Sequence, residues 1–121
     1  YINGKKTGSL YFNKLENKNV FLDSSWEVEI AKLLDEKDIK WIRPKYIKWQ
    51  DDDNKTRMYY PDFYLIDYDV YLDPKNPYCM IQGKRKMETV SKQVSLVYGA
   101  LEVIVKFINN LKQNASVAEL V

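Results

Sequence analysis

The sequence predicts an α/β domain: a four-stranded mixed sheet flanked by helices, in the order helix, three strands, helix, strand, with a further helix at the C-terminal end. Three observations predict it. Apolar residues recur at helical spacing in two separated stretches, 26–34 and 101–111. Between these stretches lie runs rich in Tyr, Trp, Phe and Ile that are bounded by Asp, Asn and Pro, the pattern of short strands and turns. The length of 121 residues fits one domain, enough chain to bury a core without disulfides or metals.

The elements follow in order. Residues 1–22 mix Gly, Lys and Asn with Leu10, Tyr11, Phe12 and Leu15, and read as an irregular arm with at most one short strand. A helix starts at Ser24. Its hydroxyl suits an N-cap, and Glu27 three positions on completes a capping box. Trp26, Ile30, Leu33 and Leu34 share the apolar face, and the helix runs to about Lys37. The stretch 40–49 reads as a strand, 50–55 as a polar turn and 56–66 as a second strand, together an antiparallel hairpin with a long loop. Asp67-Tyr68 turns tightly into a third strand over 69–75. A polar helix extends from Asn76-Pro77 to about Ser91, weakened at Gly83, and a short strand over 93–98 ends at Gly99. In the last helix Leu101, Ile104, Val105, Ile108 and Leu111 face inward. The expected organisation is an arm (1–22), a domain (23–113) and a tail (114–121).

Composition narrows the chemistry. The chain is 45% apolar and 30% charged, with a formal net charge of +2 and ten tyrosines. Its sequence pI is about 8.5. That mildly basic balance permits a nucleic-acid partner without requiring one. The single cysteine, Cys79, rules out an internal disulfide and fits a reducing compartment such as the cytoplasm. The absence of histidine removes histidine bases and histidine zinc sites, so catalysis would run on carboxylates, lysine and a metal. No apolar run approaches the roughly 20 residues that span a bilayer, and no signal-peptide pattern is present. A first residue of Tyr rather than Met suggests a piece of a longer protein, with additional DNA-binding parts expected outside it.

Two segments carry the chemistry: Tyr60-Pro61-Asp62-Phe63-Tyr64-Leu65 and, eleven positions beyond Asp62, Asp73-Pro74-Lys75. Strand alternation points Asp73 and Lys75 one way, and Val70 and Leu72 the other. The tight turn lets Asp62 come beside Asp73. Close carboxylates repel, so one protonates unless a cation lies between them. An all-oxygen ligand set suits a hard ion such as magnesium.

Pro61-Asp62, a spacer, then Asp73-x-Lys75 resembles the signature of the PD-(D/E)XK nuclease superfamily, over roughly residues 20–100. Ser24-Ser25-Trp26-Glu27, the run from Tyr59 through Leu65 and Tyr68-Asp69-Val70-Tyr71-Leu72 resemble phage-type members: homing endonucleases, very-short-patch-repair-like nucleases and head-completion nucleases. The resemblance implies a restriction-endonuclease-like core and a metal-dependent DNA endonuclease acting on double-stranded DNA. It assigns Glu27, Asp62 and Asp73 as ligands of Mg2+ (or Mn2+ in its place) and Lys75 as the catalytic lysine. It also implies a bacterial or phage-infected cell as the setting, and a homodimer where both strands are to be cut.

Two features depart from the pattern. The second acid is Asp where Glu is commoner, and Pro74 removes a ladder donor, marking a bulge, a frayed strand end or a mere turn. Glu27 also reads as a cap partner. Lys84, Arg85 and Lys86, with Arg43 and Lys45 (and beside these Lys40 and Lys48), are the candidate DNA contacts, against a plain solvated-surface reading. Gln82 is a weaker candidate near the site. Asp51-Asp52-Asp53 reads as a solvated turn. The alternative function is a non-catalytic nucleic-acid-binding or assembly module on the same fold.

Overall fold

The computed structural model describes residues 8–120, and among them the side chains of all but 77, 79, 82 and 112–120. Two strands, β1 (Ser9–Asn13) and β2 (Lys18–Leu22), precede helix α1 (Ser25–Glu36). Then come β3 (Trp41–Ile42), β4 (Ile47–Gln50), β5 (Thr56–Tyr59), β6 (Phe63–Leu65) and β7 (Val70–Pro74). Helices α2 (Pro77–Gln82) and α3 (Lys84–Ser91), strand β8 (Leu96–Gly99) and helix α4 (Leu101–Leu120) complete the chain.

The central sheet has four strands in the order β3-β6-β7-β8. β6 runs antiparallel to both of its neighbours, β3 and β7, and β8 lies parallel to β7. A parallel neighbour needs a crossover, which α2 and α3 supply. Mixed α/β architecture with a four-stranded mixed sheet is therefore as expected from sequence.

The two sheet faces carry different cores. Phe63, Leu65, Val70, Leu72 and Val97 pack with Ile30, Ala31 and Leu34 of α1 and with Ile104 and Ile108 of α4. On the opposite face, Leu96 and Tyr98 join Tyr59, Met87, Val90, Ile47 and Trp49 in a smaller cluster that seats the β4–β5 hairpin on α3. Val97 falls in the first cluster and its neighbours Leu96 and Tyr98 in the second, as strand alternation requires.

Several expected elements take a different form. The hairpin read over 40–66 is cut in two. β4 and β5 form a separate two-stranded sheet, while the outer pieces β3 and β6 join the central sheet. The break falls at Pro44 and Pro61, where a ladder donor is missing on each side. The arm forms the β1–β2 hairpin, with Val20 and Leu22 in the main core. Asn13 donates to the Trp41 carbonyl (3.0 Å), and the Tyr11 hydroxyl and Trp41 indole both donate to Asp35 (2.6 and 2.9 Å), which ties this hairpin to α1 and β3. The polar helix is interrupted at Gly83 into α2 and α3, and α4 runs on to Leu120 rather than giving way to a tail at 114. On α1 the buried residues are Glu27, Ile30, Ala31 and Leu34, so the inward face lies one position beyond that expected from Trp26. Among the described residues no helix is long and apolar enough to cross a membrane.

Candidate active site

The site grows from the end of the β6–β7 ladder. Phe63 faces Leu72, so one step further along the same register Asp62 faces Asp73. The amides of Tyr71 and Lys75 donate to the Ser95 and Gly99 carbonyls (2.9 and 2.6 Å), so odd positions of β7 turn their backbone groups toward β8 and even positions toward β6. Asp62 and Asp73 thus form a non-hydrogen-bonded cross-strand pair, the kind whose side chains approach most closely, with Cβ atoms about 4.5–5.5 Å apart. The next pair, Pro61 and Pro74, would be hydrogen-bonded, and neither residue has an N–H to give. Pro74 therefore ends the β6–β7 ladder beside the acids instead of bulging it, while still pairing with Gly99 of β8.

The carboxylates are held in distinct ways. Asp73 is 1% exposed. Its Oδ2 accepts the Tyr59 hydroxyl hydrogen and lies 3.3 Å from the Lys75 ammonium. Its Oδ1 is buried and receives no hydrogen bond. Asp62 is partly exposed, and burial, followed by the Asp73 and Glu27 carboxylates and a hydrogen bond with Asp73, raises its carboxyl to about 9. Arg43 opposes that rise but does not cancel it. At neutral pH, then, Asp62 keeps its proton. Burial, chiefly, and then the Asp73 charge also push the Tyr59 hydroxyl far above its ordinary value, so it stays a donor.

Glu27 fills the cap role. Its amide donates to Ser24 Oγ (3.3 Å), the Ser24 hydroxyl donates to Glu27 Oε2 (3.2 Å), and the Asp23 amide donates to Oε1 (3.3 Å). The same Oε1 takes the Arg43 guanidinium at 2.8 Å. Arg43 also donates to the Asp62 carbonyl (2.9 Å) and sits 3.6 Å from Asp62 Oδ1 and 3.4 Å from Asp23. Glu27 is thus linked to Asp62 through a guanidinium. Among the described residues no three His, Cys, Asp or Glu side chains converge as a ready-made ion cage.

The donor set nonetheless fits a divalent cation. Magnesium is commonly held by one or two carboxylates, with waters and substrate phosphate completing its shell. An orphaned Asp73 oxygen and a protonated Asp62 both point to one further positive charge between the pair, met by a proton or by a cation. A cleft lined by Ser24, Trp26, Glu27, Asp62, Lys75 and Asn76 reaches the pair from the Asp62 and Lys75 side, with Asp73 buried behind it. Trp26, expected in the core, is one of its walls.

The expected DNA contacts scatter. Arg43 is enclosed by acids rather than presented to solvent, its side chain 23% exposed. Arg85 is exposed and pairs with Asp52 (2.9 Å), and Lys86 lies over the Tyr59 ring (5.2 Å). Lys84, Lys45, Lys40 and Lys48 are exposed. The Gln82 side chain lies outside the described residues. The Asp51-Asp52-Asp53 run is a turn, organised by Asp51 accepting from the Asp53 and Lys55 amides and from Arg57. Sequence reasoning missed the placement of Tyr59 and the capture of Arg43 by the acids. Tyr59 directly precedes Tyr60-Pro61-Asp62, and alternation from Tyr60 would have turned it to the opposite face.

Arg43→Gln is expected to destabilise the fold by about 1–3 kcal/mol. The lower end reflects the partial exposure of the arginine, the upper end the penalty for leaving a buried carboxylate without its cation. Urea unfolding at neutral pH measures it, and a change within about 0.5 kcal/mol, the usual range for surface substitutions, would mean that Arg43 behaves as a surface cation. No known family model, curated protein or solved structure matches the chain.

Proposed function

We propose that this chain is the catalytic domain of a metal-dependent DNA endonuclease with a restriction-endonuclease-like core. The observation that carries the reading is the Asp62–Asp73 pair, side by side at a ladder end, with the Lys75 ammonium 3.3 Å from Asp73 and a cleft open beside them. The order of α1, then β3, β6 and β7, then α2 and α3, then β8 accords with the helix, three strands, helix, strand of the superfamily that the motif resembles.

Each residue has a role in that reading. Asp62 and Asp73 would hold Mg2+, or Mn2+ in its place, with Asp62 as the carboxylate and its proton released to solvent. The metal supplies polarisation of a phosphoryl oxygen and a lowered pKa for bound water. Tyr59 fixes Asp73 through Oδ2, which leaves Oδ1 as the atom that would serve as ligand. Lys75, one residue past the end of β7 and beside Asp73, offers its ammonium to the charge that develops on the phosphoryl group. Arg43 positions the Asp62 backbone and Glu27 together. A duplex cut on both strands needs two such sites, hence a homodimer or successive nicks. The setting in this reading is the cytoplasm of a bacterial or phage-infected cell.

Supercoiled plasmid incubated with the protein should be nicked or linearised in Mg2+ or Mn2+, and left intact in excess chelator or in zinc alone. Undiminished cutting in chelator would remove the metal from the mechanism. Retention of the plasmid without any cutting would favour a non-catalytic nucleic-acid-binding or assembly module.

A further inference from the structure

The β4–β5 hairpin has an inner face that packs on α3 and an outer face that packs on nothing described. Ile47 pairs with Tyr59 and Lys48 with Met58, so one step further Tyr46 faces Tyr60. The outward positions are Tyr46, Lys48 and Gln50 on one strand and Thr56, Met58 and Tyr60 on the other, and all six are exposed. Tyr60 is 62% exposed, Met58 54% and Tyr46 44%, too open for core residues. The two tyrosine rings stand edge to face with centroids 6.1 Å apart, and the Tyr60 hydroxyl lies 3.9 Å from the Met58 sulfur. None of the six is acidic, and Lys45, also exposed, adjoins Tyr46.

We infer that this face is a stacking platform for unpaired nucleotides, which makes the substrate of the adjacent site DNA with a single-stranded or frayed segment. Aromatic rings beside lysines form the surface that single strands use, with bases stacked on rings and phosphates near cations. An intact duplex keeps its base faces stacked on one another and cannot offer them. The platform also adjoins the candidate active site. Tyr60 precedes Asp62 by two residues, a reach of at most about 7 Å of extended chain. A partner chosen by apolar contact alone would gain nothing from Lys45 and Lys48, whereas a phosphate backbone would. The link to cleavage rests on the nuclease reading, but the binding does not.

The test is fluorescence anisotropy in chelator, where no cutting occurs, with a labelled oligothymidine and a blunt duplex of matched length. The parent should prefer the oligothymidine. Tyr46→Ala/Tyr60→Ala should weaken that binding by roughly fivefold or more per ring, with duplex binding little changed, and Tyr46→Phe/Tyr60→Phe should retain it. Both positions are exposed, and circular dichroism verifies that the variants fold. Unchanged oligothymidine affinity in the alanine variant would overturn the inference even if plasmid is cut. A self-associated parent that the alanine variant renders monomeric, with nucleic-acid affinity intact, would overturn it in favour of a second copy of the chain. Ring-dependent binding by a protein that cuts nothing would uphold the platform while removing the nuclease reading.

Discussion

Asp62→Asn is expected to raise the melting temperature while abolishing plasmid cleavage. The carboxyl of Asp62 moves from an ordinary value of 3.8 to about 9 in the fold. Between those values the native state binds more protons than the unfolded state, so this group makes stability fall as pH rises. Its contribution is most favourable below about pH 4 and is lost progressively as pH climbs through 9. Asparagine has nearly the same shape, carries no charge and does not titrate, so it should relieve the crowding with Asp73 and Glu27 that grows with pH.

The gain should therefore be small near pH 4 and largest near pH 8–9, by roughly 4 °C or more, about the shift that 1 kcal/mol produces in a domain of this size. Thermal unfolding followed across that range measures it. Parallel melting profiles for parent and variant would mean that the two acids do not share a site. The cleavage arm is independent of the stability arm: a variant that cuts as fast as the parent would remove Asp62 from the chemistry whatever its melting temperature.

Lys75→Met should slow cleavage by on the order of a hundredfold or more, the scale of losing one electrostatic stabiliser of a transition state. Methionine keeps much of the stem but loses the ammonium 3.3 Å from Asp73 Oδ2. DNA affinity should change little, because a single phosphate contact contributes a small part of backbone binding. Arginine should rescue little, since a planar guanidinium does not reproduce a compact ammonium in this confined position. Single-turnover cleavage beside a binding assay in calcium distinguishes the outcomes. Equal losses of binding and cleavage would make Lys75 a phosphate contact only. No change in either would place Asp73-Pro74-Lys75 outside the chemistry.

Much of the candidate site was legible because its geometry is local. Alternation along one strand places Asp73 and Lys75 on one face and Val70 and Leu72 on the other, and the structure has Asp73 against Lys75 while Val70 and Leu72 lie in the core. The turn at 66–69, with Asp69 at φ 51°, folds β6 onto β7 so that Asp62 reaches Asp73. The Ser24 cap and the amphipathic stripes of α1 and α4 are likewise set by residues three or four apart.

What only the tertiary structure decided involves residues far apart in the chain. Arg43 reads as a surface cation on a strand until the fold brings it to Glu27 and Asp62, 16 and 19 residues away. Tyr59 reads as one aromatic among many until the hairpin bends and sends its hydroxyl to Asp73, 14 residues on. The bend itself, with prolines on both strands, splits one apparent hairpin between two sheets, because a long aromatic run records strand propensity but not the partner of each half. By itself the sequence determined the order of the main elements, the pairing of the two acids and the lysine beside them, since short-range sterics and strand period specify these. Which cation and which hydroxyl surround the acids, and the shift of Asp62 that follows, were decided by long-range packing, because burial and charge proximity exist only once the chain has closed on itself.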